Sequence, residues 1–256
     1  MAYGPDFRAY PGAGNAASTA ASVDAGLRTY MLHVYNWMAS GLLLTGIVAY
    51  ACNAYLLDFF YPTVMTQFGL RHAPSGLAYV SMFAPLVFVM VLSFGVNRLS
   101  TVTAQALFWA FCTAMGISMM NIFLVYTGES IVRVFFITSG TFAAMSLWGY
   151  TTRSDLSRMG SFLMMGLIGI VLAGLVNMFI GSSALQFAIS MIGVVVFTGL
   201  TAYDTQRIKA GYMQAAYAGG MQEAGKRSVY DALSLYLNFI NLFMILLQLT
   251  GDRRGN

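Results

Sequence analysis

Residues 160–181 read GSFLMMGLIGIVLAGLVNMFIG, 22 positions without one charged side chain. A helix needs about 20 predominantly apolar residues to cross the hydrocarbon of a bilayer, and this stretch meets that length. Six further runs of the same character lie on either side of it, at 32–55, 77–97, 102–126, 131–150, 184–207 and 230–249. Polar punctuation divides them: Pro62 with Arg71, His72 and Pro74; Asn97 to Ser100; Thr127 to Ser130; Thr151 to Arg158; Gly181 to Ser183; and the long stretch 208–229. Several connections are only a few residues long, so the helices they join are antiparallel neighbours. The expected fold is all-α: a polytopic membrane protein of seven transmembrane helices.

Composition carries the same message over the whole chain. Of 256 residues, 58% are hydrophobic and 9% charged, with a mean hydropathy of +0.69; soluble domains run at roughly 45–50% apolar and roughly 25% charged. The missing charge means that most of the surface faces a bilayer. The net charge of +4 contains no long basic run, so nucleic-acid binding is unsupported. Cys52 and Cys112 lie sixty positions apart in apolar runs, without a CxxC pattern, and read as buried thiols packed as small hydrophobes. Residues 1–27 are expected to be a disordered cytoplasmic tail, 28–250 the seven-helix domain and 251–256 a short polar tail.

Orientation follows from Lys and Arg, because basic loops stay cytoplasmic. An inside N-terminus collects Arg8, Arg28, Arg98, Arg153, Arg158, Arg207, Lys209, Lys226 and Arg227 on the cytoplasmic side and leaves Arg71, Arg133, Arg253 and Arg254 outside. The terminal Asp252-Arg253-Arg254 favours the cytoplasm if the last segment is re-entrant, which stays as the alternative. Gly166, Gly169, Ala173, Gly174, Gly193 and Gly199 read as packing positions that let helix backbones approach. Asn177 reads as an amide that hydrogen-bonds to another helix.

Ionisable groups at membrane depth are costly and mark function by default. Asp204 closes the sixth run in LTAYDTQRIK, with Arg207 three residues on as an interfacial ion-pair partner in the plainer reading. In the seventh run Asp231, Ser234, Asn238, Asn241 and Gln248 fall near 0°, 300°, 340°, 280° and 260° at about 100° per residue. This single polar stripe faces the bundle interior, either as a hydrogen-bonding seam or as the wall of a hydrated path. A rise of 1.5 Å per residue sets Asn238 about 10 Å deeper than Asp231, with Asp204 between the two levels. Arg98, Asp204 and Asp231 are thus expected to converge at the cytoplasmic mouth. Carboxylates are hard oxygen ligands of the type Ca²⁺ accepts. His33 and His72 are isolated, and no HExxH, GxSxG, GxxxxGK[ST] or GxGxxG pattern occurs, so no enzyme is expected. Tyr35, Trp37, Trp148 and Tyr150 read as an interfacial aromatic belt.

Three segments in order, MSLWGYTTRSDLSRMGSFLMMGLIGIVLAGLVNMF (145–179), LTAYDTQRIK (200–209) and ALSLYLNFINLF (232–243), resemble the Bax inhibitor family from about residue 28 onward. The resemblance implies seven helices with the last one central, and a pH-responsive cation leak, chiefly of Ca²⁺. It implies two aspartates on the last two helices that share a proton and latch to an arginine on the second. Asp204 matches the first aspartate and Arg98 the arginine. The second, expected within LYLDFINLF, is Asn238 here. Asn cannot ionise, so either Asp231, two turns away on the same face, takes over in part, or the pH response is altered or absent.

The expected function is a pH-sensitive Ca²⁺-permeable leak channel or cation/proton exchanger of the inner membrane. Asp204, Asn238, Asp231 and Arg98 bind or gate ions, Ser234, Asn241 and Asn177 form the supporting polar seam, and Ca²⁺ binds transiently at Asp204. No cofactor is expected beyond Ca²⁺ and H⁺ as transported or regulatory ions. The rival is a non-transporting regulator that acts on a membrane protease or a survival pathway through protein partners.

Overall fold

The computed structural model describes residues 12–66, 69–95, 98–218 and 224–254, with the backbone alone over 12–21 and at 66. The helices are α1 (Gly12–Tyr55), α2 (Leu57–Phe60), α3 (Gly76–Gly95), α4 (Thr101–Met119), α5 (Ile122–Val125), α6 (Gly128–Thr151), α7 (Ser157–Ile180), α8 (Ser183–Tyr217) and α9 (Ala224–Thr250). Seven of them, all but the short α2 and α5, carry a window long and apolar enough to cross a membrane. The protein is an all-α polytopic membrane protein.

The breaks are built by capping. Ser100 Oγ accepts from the Thr103 amide at 3.2 Å, Thr127 Oγ1 from Ser130 at 3.3 Å and Ser182 Oγ from Leu185 at 3.3 Å. Each hydroxyl satisfies a donor that the first turn of α4, α6 or α8 leaves open. Gly181 ends α7 in the left-handed region at φ 67°, a conformation that costs glycine nothing.

Four features depart from expectation. First, α1 begins at Gly12, well ahead of residue 27, and Leu27, Tyr30 and Met31 on it are buried; residues 1–11 of the expected tail lie outside the described residues. Second, the expected 208–229 connection is largely helical. α8 runs on to Tyr217 because Ile208 and Tyr212, four residues apart on one face, pack with Tyr30 and Val229. Third, a hairpin interrupts the helices: β1 (Thr63–Thr66) pairs antiparallel with β2 (Gly69–His72), Thr63 opposite His72, in the α2–α3 connection. Its β-branched Thr63, Val64 and Thr66 follow Pro62, which suits a strand better than a helix. Fourth, only some of the glycines approach another helix. A methyl at Gly193 would lie 2.6 Å from Ile245 and one at Gly199 2.9 Å from Leu163, whereas Gly169 and Gly174 open on free space. The closest backbone approach falls elsewhere, at Gly149 on α6, where a methyl would overlap the Ala202 carbonyl of α8.

α9 packs against α8, α1, α6 and α4, while α3 packs chiefly on α4 and α7 on α8. Tyr236 on α9 is fully buried between Phe108 and Phe111 of α4, at ring-centroid distances of 6.2 and 5.3 Å. Its hydroxyl meets Thr45 Oγ1 at 2.7 Å, and Thr45 donates to the Cys112 carbonyl at 2.9 Å. α9 is continuous from end to end. Beyond it, the Asp252 amide donates to Ser130 Oγ at 2.9 Å and the Arg254 amide to the Val125 carbonyl at 2.9 Å, so the chain end is clasped onto the α5–α6 connection.

Candidate functional site

Asp204 sits on the face of α8 that meets α9 and is only 6% exposed. An isolated carboxylate in such surroundings is expensive, and the surrounding residues answer that with donors. Asn238 Nδ2 donates to Asp204 Oδ2 at 2.7 Å, and Ser234 Oγ donates to the same oxygen at 2.9 Å. The second oxygen, Oδ1, lies 3.0 Å from Arg207, one turn along α8. Arg207 also donates to Ser234 Oγ at 3.1 Å, which closes a three-residue ring of Asp204, Arg207 and Ser234, with Asn238 as a further donor to its carboxylate. The i,i+3 pair foreseen for Asp204 and Arg207 is therefore present, with its acid buried and its base half exposed.

Asp231 occupies a separate position. Its Oδ2 accepts from the Tyr30 hydroxyl of α1 at 2.7 Å and lies 3.9 Å from Arg227 one turn back. The polar stripe of α9 is thus shared between two partners, Asp231 turning to α1 and Ser234 with Asn238 turning to α8. Asn241 donates to the Leu237 carbonyl of its own helix at 2.9 Å. Gln248, further along, accepts from Gln186 at 3.1 Å, and Gln186 in turn accepts from Asn177 at 3.1 Å, so one amide chain joins α9, α8 and α7 at the opposite end of the bundle.

Arg98 stands exposed on the α3–α4 turn and is not among the partners of Asp204 among the described residues. The geometry brings together Asp204, Ser234, Asn238 and Arg207, sets Asp231 with Tyr30, and leaves Arg98 at the rim. Tyr30 was not foreseen, since nothing local ties a tyrosine on the first helix to an acid 201 positions away. Also unforeseen is a hydroxyl chain one residue from Asp204. Tyr35, read as a belt residue, hydrogen-bonds inward to Ser146 of α6, which meets Thr205 Oγ1 of α8 at 2.9 Å. Trp148 remains exposed at 44% and suits an interfacial position.

The donor set around Asp204 is oxygen and amide, with no sulfur or imidazole. Among the described residues no group of three or more His, Cys, Asp or Glu gathers in one place. One carboxylate with hydroxyl and amide neighbours suits weak, exchangeable contact with a hard cation better than a resident transition metal.

Comparison with known proteins places this architecture. The family model described as "Inhibitor of apoptosis-promoting Bax1" matches residues 27–255. The chain is 47% identical over 232 residues to the uncharacterized protein RP147 of Rickettsia prowazekii, covering 90% of this chain and 92% of that one. It is 45% identical over 232 residues to the inner membrane protein YbhL of Escherichia coli K12, covering 90% and 94%. An uncharacterized protein of Caulobacter vibrioides is 43% identical over 235 residues, covering 91% and 92%. With the match running from α1 to the clasped chain end, the protein belongs to the Bax inhibitor family.

Proposed function

We propose that the protein is a pH-responsive, Ca²⁺-permeable leak channel or cation/proton exchanger of the inner membrane rather than an enzyme. The observation that carries this reading is the Asp204 ring: a buried carboxylate between two membrane-length helices, neutralised by the one half-exposed arginine beside it. Oxygen ligands for a hard cation are at hand in Asp204, Ser234 and, after a turn of its amide, Asn238. A proton or a cation that takes the place of Arg207 at Oδ1 leaves the charge balance intact, which is the requirement for passage through a poorly solvated site. In the arrangement described, the counter-cation to Asp204 is Arg207, while Arg98 stands at the rim without a contact to Asp204 among the described residues. Support for the location comes from YbhL, an inner membrane protein by name. The cytoplasmic N-terminus rests on the end of the bundle that gathers Arg28, Arg98, Arg153, Arg158, Arg207, Lys209 and Arg227.

The test is purified protein in liposomes loaded with a Ca²⁺ indicator. Wild type admits Ca²⁺ without any other protein present, Asp204→Asn loses the flux or its pH dependence, and Arg207→Gln raises basal leak while Arg98→Ala stays near wild type. Absence of wild-type flux overturns the proposal and leaves the regulator that works through a membrane protease or other protein partners.

A further inference from the structure

α1 and α6 both pack on α9 and α8; they meet each other through the Tyr35–Ser146 hydrogen bond and otherwise leave a groove between them, open to the side of the bundle. The groove contains three cavities in a row, of about 580, 700 and 290 Å³, which share Leu42 and Phe239 as common walls. The cavity of about 580 Å³ runs from Arg28 past Met38 to Leu42 on one side and from Tyr150 back to Ser139 on the other, with Phe239 of α9 as its floor. Its outer lips are exposed apolar side chains, Leu32 at 55% and Leu147 at 65%.

The polar groups of this cavity are unevenly distributed. Below the rim every hydroxyl is already engaged: Tyr35 with Ser146, Ser146 with Thr205, and Ser139 with the Phe135 carbonyl at 2.8 Å. That part of the wall asks nothing of an occupant but apolar contact. At the rim, Arg28 is exposed, and none of the ion pairs among the described residues involves it. Lys209 lies close by, its ammonium 4.9 Å from the centre of the Tyr150 ring and 2.8 Å from the Tyr150 carbonyl. The cavity is therefore cationic at one end and dry along the rest.

The length matches one leaflet. From Arg28 to Leu42 the rise of α1 is about 21 Å, enough for a headgroup and half of the roughly 30 Å hydrocarbon thickness. We infer that the α1–α6 groove is a binding site for an anionic phospholipid from the leaflet at the basic end, its phosphate at Arg28 and one acyl chain lying along Met38 and Phe142 to Phe239. The inference is independent of ion conduction. It gives the buried hydroxyl chain that ends beside Asp204 a lipid-contacting outer end at Tyr35.

Native mass spectrometry of the full chain in detergent, titrated with phosphatidylglycerol or phosphatidylcholine of the same acyl composition, tests it. Wild type should retain one phosphatidylglycerol in preference to phosphatidylcholine. Arg28→Gln, an exposed and structurally benign change, should weaken phosphatidylglycerol about fivefold, the effect of one surface-proximal arginine on an anionic headgroup, and leave phosphatidylcholine unchanged. Ala143→Phe, on the open side of the cavity, should expel both lipids while the helical circular dichroism is retained. Equal retention of the two lipids by wild type, an Arg28→Gln variant that binds like wild type, or undiminished lipid in a folded Ala143→Phe protein would each overturn the inference. A wild-type dimer that Ala143→Phe dissociates would put a second copy of the chain in the groove and overturn it as well.

Discussion

The Asp204–Asn238 hydrogen bond lends itself to a double-mutant cycle, because both partners are buried and sit on different helices. Replacing either residue by Leu preserves volume and removes one partner. Hydrogen bonds between helices in membranes average about 0.6 kcal/mol in such cycles, with a maximum near 1.7 kcal/mol, because the unfolded chain in the membrane also finds partners. A charged acceptor raises the value. The short 2.7 Å contact to a carboxylate oxygen therefore sets an expected coupling of about 1.5 kcal/mol, near the top of that range. The neutral Thr45–Tyr236 pair, at the same 2.7 Å, serves as an internal reference and should couple by about 0.6 kcal/mol. Equilibrium unfolding in mixed micelles of rising SDS fraction measures both cycles in the same protein. The Asp204→Leu variant should lose more than the coupling, since it also leaves Ser234 without its acceptor and Arg207 without its ion-pair partner. A coupling below about 0.3 kcal/mol for Asp204–Asn238, or one smaller than that of the neutral pair, would show that this acceptor is satisfied by water and refute the α8–α9 hydrogen bond at the site.

Asn238→Asp puts a second carboxylate at hydrogen-bond distance from Asp204, and two such acids titrate as a pair around one shared proton. Ca²⁺ flux in liposomes should become steeper in pH, and adding Asp204→Asn should cancel the gain. Gly149→Ala forces a methyl onto the Ala202 carbonyl and should cost about 1–3 kcal/mol of stability by overpacking, while Gly169→Ala, with open space around it, should be neutral or stabilising by about 0.5–1 kcal/mol. The reverse order in SDS unfolding would contradict the α6–α8 crossing. A reporter fused after the last residue should be extracytoplasmic and one inserted between Tyr217 and Ala224 cytoplasmic; a cytoplasmic reporter at the chain end would remove the seventh crossing.

Local chemistry alone was enough to make the seven spans and most of their ends legible. Length and apolar content decide whether a segment enters a bilayer, and Ser100, Thr127, Gly181 and Ser182 act on backbone groups within a few residues of themselves. Asp204 also stood out without any structure, because a carboxylate after about twenty apolar residues is conspicuous by its cost. The polar stripe of α9 was visible too, but which neighbour each of its members would meet was not. That depends on how α9 is rotated between α1 and α8, and the two faces of the stripe divide there: Asp231 turns to Tyr30, and Ser234 with Asn238 turn to Asp204. Sequence periodicity records the side on which polar groups lie and carries no information about the helix that covers them. The same holds for the glycines. Gly149 and Gly169 look alike in the chain, and only the crossing of α6 over Ala202 makes the first a contact and leaves the second open. The extension of α8 to Tyr217 was likewise decided by packing, since Ile208 and Tyr212 stay helical because α1 and α9 bury them. The α1–α6 groove belongs wholly to the tertiary structure, because a gap between two helices is a property of how their neighbours hold them apart.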